Sequence, residues 1–146
     1  MRTKDFLGRL DHERIVAAIT AAEARTSGEI RVFIQQGEVQ GGALPCAEKK
    51  FLELGMDKTA ERNAILILVA PRAQKFAVVG DEGIHQKCGL LFWQCLVDAM
   101  RAHFKKEEFT AALVEAIEEA GDLLARHFPR KSDDRNELSD DVVEGL

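Results

Sequence analysis

Apolar and polar positions follow two rhythms along this chain, and the changes between them mark out its elements. From Asp11, a residue type suited to a helix N-cap, Ile15, Ala18, Ile19 and Ala22 recur three and four apart until Thr26-Ser27-Gly28 breaks the pattern, predicting a helix of about four turns. Glu29 to Gln35 then alternates. Ile30, Val32 and Ile34 fall on one face, with Glu29, Arg31 and Gln35 on the other beside Phe33, as in a half-covered strand. Gly37 to Pro45 reads as loop. Pro45 suits the first turn of a helix carrying Phe51, Leu52 and Leu54, and Gly55 suits its C-terminal cap.

Met56 to Asn63 is polar and leads into two runs rich in Ile and Val, Ala64 to Ala70 and Lys75 to Gly80, joined by the turn-like Pro71-Arg72-Ala73-Gln74. A hairpin turning on that segment sets Ala70 opposite Lys75. Counting back sets Asn63 opposite Glu82, with Cβ atoms roughly 5 Å apart. The first run is apolar on both faces and reads as a central strand. Beyond Gly89, Phe92, Leu96 and Met100, flanked by Trp93, Val97 and Phe104, keep helical spacing, and Trp93 reads as core. A last helix from about Glu107 to His127 carries Phe109, Leu113, Ile117, Ala120 and Leu124 on one stripe, and Pro129 ends it. Leu138, Val142, Val143 and Leu146 suit a short amphipathic turn docking back on the body.

A helix between the first two strands makes them parallel if the crossover is right-handed, and the hairpin brings the third back antiparallel. The pattern therefore predicts an α/β fold: one domain over residues 1–131, a small mixed sheet with strands near 29–35, 64–70 and 75–80, and about four helices. In this topology Ser27-Gly28-Glu29, Arg62-Asn63 and Asp81-Glu82 meet at one sheet edge. Doubly wound sheets usually bind ligands at the other end, beyond the carboxyl ends of the parallel strands.

A chain of 146 residues suits a single domain with its own core. The net charge of -5 resides in residues 132–146, whose six acids and one base form an acidic tail, leaving a neutral body with no basic stripe for nucleic acid. The longest apolar run, Ala64 to Ala70, is far short of the roughly 20 residues of a membrane-spanning helix, and Met1 to Asp11 lacks the zones of a signal peptide. The expectation is a soluble, cytoplasmic protein. Cys46, Cys88 and Cys95 form no Cys-x-x-Cys pair and read as reduced thiols.

Several of these segments resemble the TPM-domain family. The small-residue turn before an acidic strand start is similar to Thr26-Ser27-Gly28-Glu29-Ile30, and the Phe-rich helix ending in Gly to Phe51-Leu52-Glu53-Leu54-Gly55-Met56. The strand entry is similar to Asn63-Ala64-Ile65-Leu66, with Ala64 where the family usually has Gly, and the Gly-acidic strand exit to Gly80-Asp81-Glu82-Gly83-Ile84. His127-Phe128-Pro129 and Asn136-Glu137-Leu138 look like a short, stand-alone bacterial subgroup. The resemblance spans roughly residues 11–128. It implies a three-layer α/β/α sandwich. For a plant thylakoid-lumen relative it implies acid phosphatase activity with calcium near the active site, and for other members metal binding or protein assembly. The family's usual secretion signal and membrane anchor are not found in this sequence.

Glu29, Asn63, Asp81, Glu82 and Asp57 offer oxygen donors alone, which suits Ca²⁺ or Mg²⁺ rather than Zn²⁺. Carboxylates gathered at one edge repel one another unless a cation or Arg62 sits among them. The plainer alternative is that these acids are solvated strand ends, or caps for a helix beginning near Ile84. For phosphoester hydrolysis, bound metal and Arg62 would clamp the phosphoryl oxygens while Asp81 or Glu82 served as base or nucleophile. Neither a Cys-x5-Arg loop nor an Asp-x-Asp-x-Thr motif is present. His85, Cys88, Cys95 and His103 do not share a helix face, so they make a poor zinc quartet. His85 beside Asp81 reads as a turn-capping histidine more readily than a general base. A third reading is a non-catalytic module that binds a protein partner through the acidic tail and the Gly37 to Pro45 loop.

Overall fold

The protein is described by a computed structural model covering residues 1–130 and the backbone of 143–145. Its helices are α1 (Thr3–Gly8), α2 (His12–Glu23), α3 (Ala43–Glu53), α4 (Glu82–Lys87), α5 (Leu90–Lys105) and α6 (Phe109–His127). Its strands are β1 (Glu29–Gln35), β2 (Ala64–Ala70), β3 (Lys75–Gly80) and β4 (Val143–Gly145). The sheet order is β3-β2-β1-β4. β1 runs parallel to β2 with Glu29 opposite Ala64, and β3 returns antiparallel with Lys75 opposite Ala70 and Gly80 opposite Ile65.

Alternation along the strands sends side chains to two helical layers. Ile30, Val32, Ile34, Ile65, Ile67 and Val69 pack in one core with residues of α2 and α6 such as Ile15, Ile19, Leu113 and Ile117. Phe33, Leu66 and Leu68 pack in a second core with Ala47 and Phe51 of α3 and with Met56. The result is the three-layer α/β/α arrangement. β2, whose seven residues are all buried, occupies the interior position that its unbroken apolar run requires.

The six α-helices among the described residues are roughly consistent with the expected four, the additional α1 and α4 having six residues each and being too short to display a helical period. Three features depart from the sequence expectation. β1 is buried on both faces, not half covered. Arg31 and Gln35 keep only 8% and 7% of their surface, since they lie on the α3-facing side that carries Phe33. Trp93 is only partly buried against the core, beside Gly80. Val143–Gly145 forms a parallel strand on β1, with Val143 opposite Phe33, rather than an amphipathic turn. Leu138, Val142 and Leu146 lie outside the described residues.

Candidate functional site

The starts of β1 and β2 and the end of β3 do share one rim. Its center is Arg62, held in the left-handed region at φ 52° just before β2. The guanidinium grips Asp81 at both oxygens: Nε donates to Oδ2 at 2.8 Å and Nη2 to Oδ1 at 2.9 Å. Asp81 is 6% exposed and also caps α4, its Oδ1 accepting the Glu82 N–H at 2.7 Å. The helix thus begins at Glu82, two residues before Ile84. Glu82 is 65% exposed on its side chain and stands 3.8 Å from Arg62 Nη1. The Asp81 carboxylate, helped by Glu82 and Asp57, holds the Arg62 pKa above its ordinary value.

The backbone ties the same point together. Asp81 N–H donates to the Ala64 carbonyl at 3.0 Å and Gly83 N–H to the Arg62 carbonyl at 2.9 Å, extending the β2–β3 pairing into the first turn of α4. Gly83 is obligatory on contact grounds, since a Cβ there would lie 2.3 Å from the Glu61 carbonyl oxygen and 2.6 Å from that of Arg62. Beside this pair runs a second polar chain. Asn63, buried, donates from Nδ2 to Ser27 Oγ at 3.0 Å, and Ser27 Oγ donates to Glu61 Oε1 at 3.0 Å. The Asn63 N–H reaches Thr59 Oγ1 at 3.2 Å.

Of the residues expected at this site, Arg62, Asp81 and Glu82 are in direct contact. Asp57 acts on Arg62 through its charge, and Asn63 lies alongside, linked to Ser27. Glu29 starts β1 at the same end but is buried. Glu61 and Thr59 were not apparent from the sequence, and Gly83 entered only as part of the family's strand-exit motif; the position of Glu61 just ahead of Arg62-Asn63 and β2 was the one available signal.

The donors are hard oxygens, as a divalent ion prefers, but Arg62 takes the place such an ion would occupy against Asp81. Among the described residues no group of three or more His, Cys, Asp or Glu side chains is spaced to hold an ion together. His85, Cys88, Cys95 and His103 are therefore not a zinc quartet. His85 packs its ring 5.6 Å from that of Trp93, Cys95 is exposed, and burial raises the Cys88 thiol pKa. His103 instead bridges Glu108 and Glu115 between α5 and α6.

A family model described as the TPM domain matches residues 1–123. The NMR structure of BA42 from the psychrophilic bacterium Bizionia argentinensis is similar at a TM-score of 0.84 and 38% identity, covering 94% of this chain and 96% of that one. The N-terminal domain of cg2496 from Corynebacterium glutamicum is similar at a TM-score of 0.61 and 15% identity over 80% of this chain and 75% of that one, a likeness of fold alone. No curated protein matches.

Proposed function

The chain belongs to the TPM domain family, and from that premise we propose that its rim binds a hard divalent cation, Ca²⁺ or Mg²⁺, in competition with Arg62. The observation that supports this reading is that the rim already accommodates one positive charge, the guanidinium held by Asp81 and flanked by Glu82 and Asp57. Asp81 and Glu82 would hold the ion once Arg62 turns away, with Asn63 as a neutral oxygen donor nearby; Asp57, and Glu29 buried in β1, would contribute charge from a distance. The ion would supply charge neutralization at a carboxylate edge. Arg62 is 45% exposed on its side chain and has room to turn toward water. Because the arginine must be displaced, affinity is expected near the millimolar level, about -4 kcal/mol.

Amide NMR shifts during Ca²⁺ titration test this. Asp81, Glu82 and Asn63 should move, and Arg62→Gln should tighten binding by roughly tenfold, about 1.4 kcal/mol. Absence of shifts in both proteins at millimolar Ca²⁺ and Mg²⁺ overturns the proposal.

Phosphoester hydrolysis is the finer form of this reading, with Arg62 released to clamp phosphoryl oxygens and Asp81 or Glu82 as base or nucleophile. One observation favors a non-catalytic, partner-binding module instead: both Asp81 oxygens are engaged by Arg62, and one also by the Glu82 N–H. Turnover of generic phosphoesters that disappears in Asp81→Asn with Glu82→Gln separates the two. No helix among the described residues is long and apolar enough to cross a membrane. A cytoplasmic location is part of the proposal and is checked by cell fractionation.

A further inference from the structure

The rim lies at one end of the sheet; at the other, where β2 ends and β3 begins, the surface opens into a groove of about 550 Å³. That volume is in the range of small-molecule sites, and the position is at the carboxyl end of a parallel strand, where α/β sheets commonly bind ligands. Its floor is a run of four phenyl rings from separate elements. Phe6 packs at a tilt against Phe109 at 4.8 Å, Phe109 meets Phe104 at 6.2 Å, and Phe104 meets Phe76 at 5.0 Å. Two of the three non-glycine residues with left-handed φ among those described, Gln74 at 55° and Glu107 at 58°, line it. Strained backbone of this kind gathers at binding sites.

The charge around this apolar floor is one-sided. Lys75, Arg101 and Lys105 stand on the lining, against a single acid, Glu107, which is paired with Arg9 at 3.0 Å. Arg101 bonds Asp98 at 3.1 Å and lies 5.9 Å from the center of the Phe76 ring. Among the described residues Lys75 and Lys105 form no ion pair. We propose that this groove binds a small amphiphile, an apolar chain or ring bearing a carboxylate, with the phenyl floor taking the apolar part and Lys75 and Lys105 the anionic head. It is independent of the cation proposed at the opposite end.

Octanoate, with 1-octanol as its uncharged counterpart, is the probe, followed by amide NMR on the full chain. Octanoate should shift Val69, Phe76, Phe104 and Phe109 with a Kd at or below about 1 mM. Octanol should bind the same residues more weakly. Lys75→Gln with Lys105→Gln should weaken octanoate roughly three- to tenfold and leave octanol unchanged, the unchanged arm showing that the variant is folded. Shifts confined to other residues, equal affinity for octanoate and octanol in the unmodified protein, or binding to anionic vesicles without binding to free octanoate would each overturn the proposal.

Discussion

Replacing Gly83 by alanine sets two effects of opposite sign against each other. Inside α4, alanine is the better helix former by about 1 kcal/mol. Against that, the new Cβ would sit 2.3 Å from the Glu61 carbonyl oxygen and 2.6 Å from the Arg62 carbonyl oxygen. Ordinary carbon–oxygen contacts lie near 3.3 Å, so helix and loop must separate by roughly 1 Å. Both clashing atoms are backbone and cannot rotate away. Separation costs about 1–3 kcal/mol as overpacking, and stretching the Gly83 N–H bond to Arg62 costs about 1 kcal/mol more. The net expectation is a loss of roughly 1–3 kcal/mol, a melting point lower by roughly 3–10 °C for a domain of this size. Thermal and urea melts measure it, with Gly8→Ala as control, because a Cβ at Gly8 meets nothing within 4 Å. Gly83→Ala melting at or above the unmodified protein would refute the close-approach argument.

Asp81→Ala removes both the α4 cap and the Arg62 partner, and should cost about 1–3 kcal/mol in urea unfolding, whereas Glu82→Ala, at an exposed position, should stay within about 0.5 kcal/mol; equal losses would mean the rim is not organized around Asp81. His103 lies 2.9 Å from Glu108 Oε1 and 2.5 Å from Glu115 Oε2, and hydrogen bonds to Glu108 and then Glu115 raise its pKa. Its contribution is therefore full below the unfolded value of about 6.5 and is lost as pH rises through the higher folded value. The melting-point gap between the unmodified protein and His103→Gln should be wider on the acid side than at alkaline pH, and a flat gap contradicts the assignment. Phe6→Ala should cost about 3–5 kcal/mol, since the ring is 2% exposed and packs at a tilt against Phe109; a loss below about 1 kcal/mol in denaturant titration would show that α1 is not docked on the core.

The strands were legible because their apolar runs are sharply bounded. Gly28 precedes β1, Asn63 precedes β2, Pro71 opens the turn and Gly80 ends β3, so both register and chain direction could be counted. The gathering of Arg62, Asp81 and Glu82 followed from that direction. The sequence left a cation and Arg62 both open as what neutralizes them, because it does not reveal that Arg62 adopts a left-handed conformation and turns its fork onto Asp81. Arg31 and Gln35 misled for a related reason: polarity signals exposure, and their burial depends on packing on the α3 side. The groove was hidden differently. Its four phenylalanines come from α1, β3, α5 and α6, and each resembles an ordinary core residue until all are in place.

The pairing of α2 with α6 has a consequence for how this molecule is made. Asp11 N–H bonds Thr110 Oγ1 at 3.0 Å, Arg25 meets Asp122 at 2.7 Å, and the Ser27 N–H reaches the Phe128 carbonyl at 3.0 Å. These partners are about a hundred positions apart, so at 5–20 residues per second α2 waits roughly 5–20 s on the ribosome for the surface that shelters Ile15 and Ile19. The partners in the β2–β3 hairpin, by contrast, lie close along the chain and are synthesized together. α2 must remain soluble until α6 arrives, and its exposed charged positions, Glu13 and Arg14, serve the nascent chain as well as the finished protein.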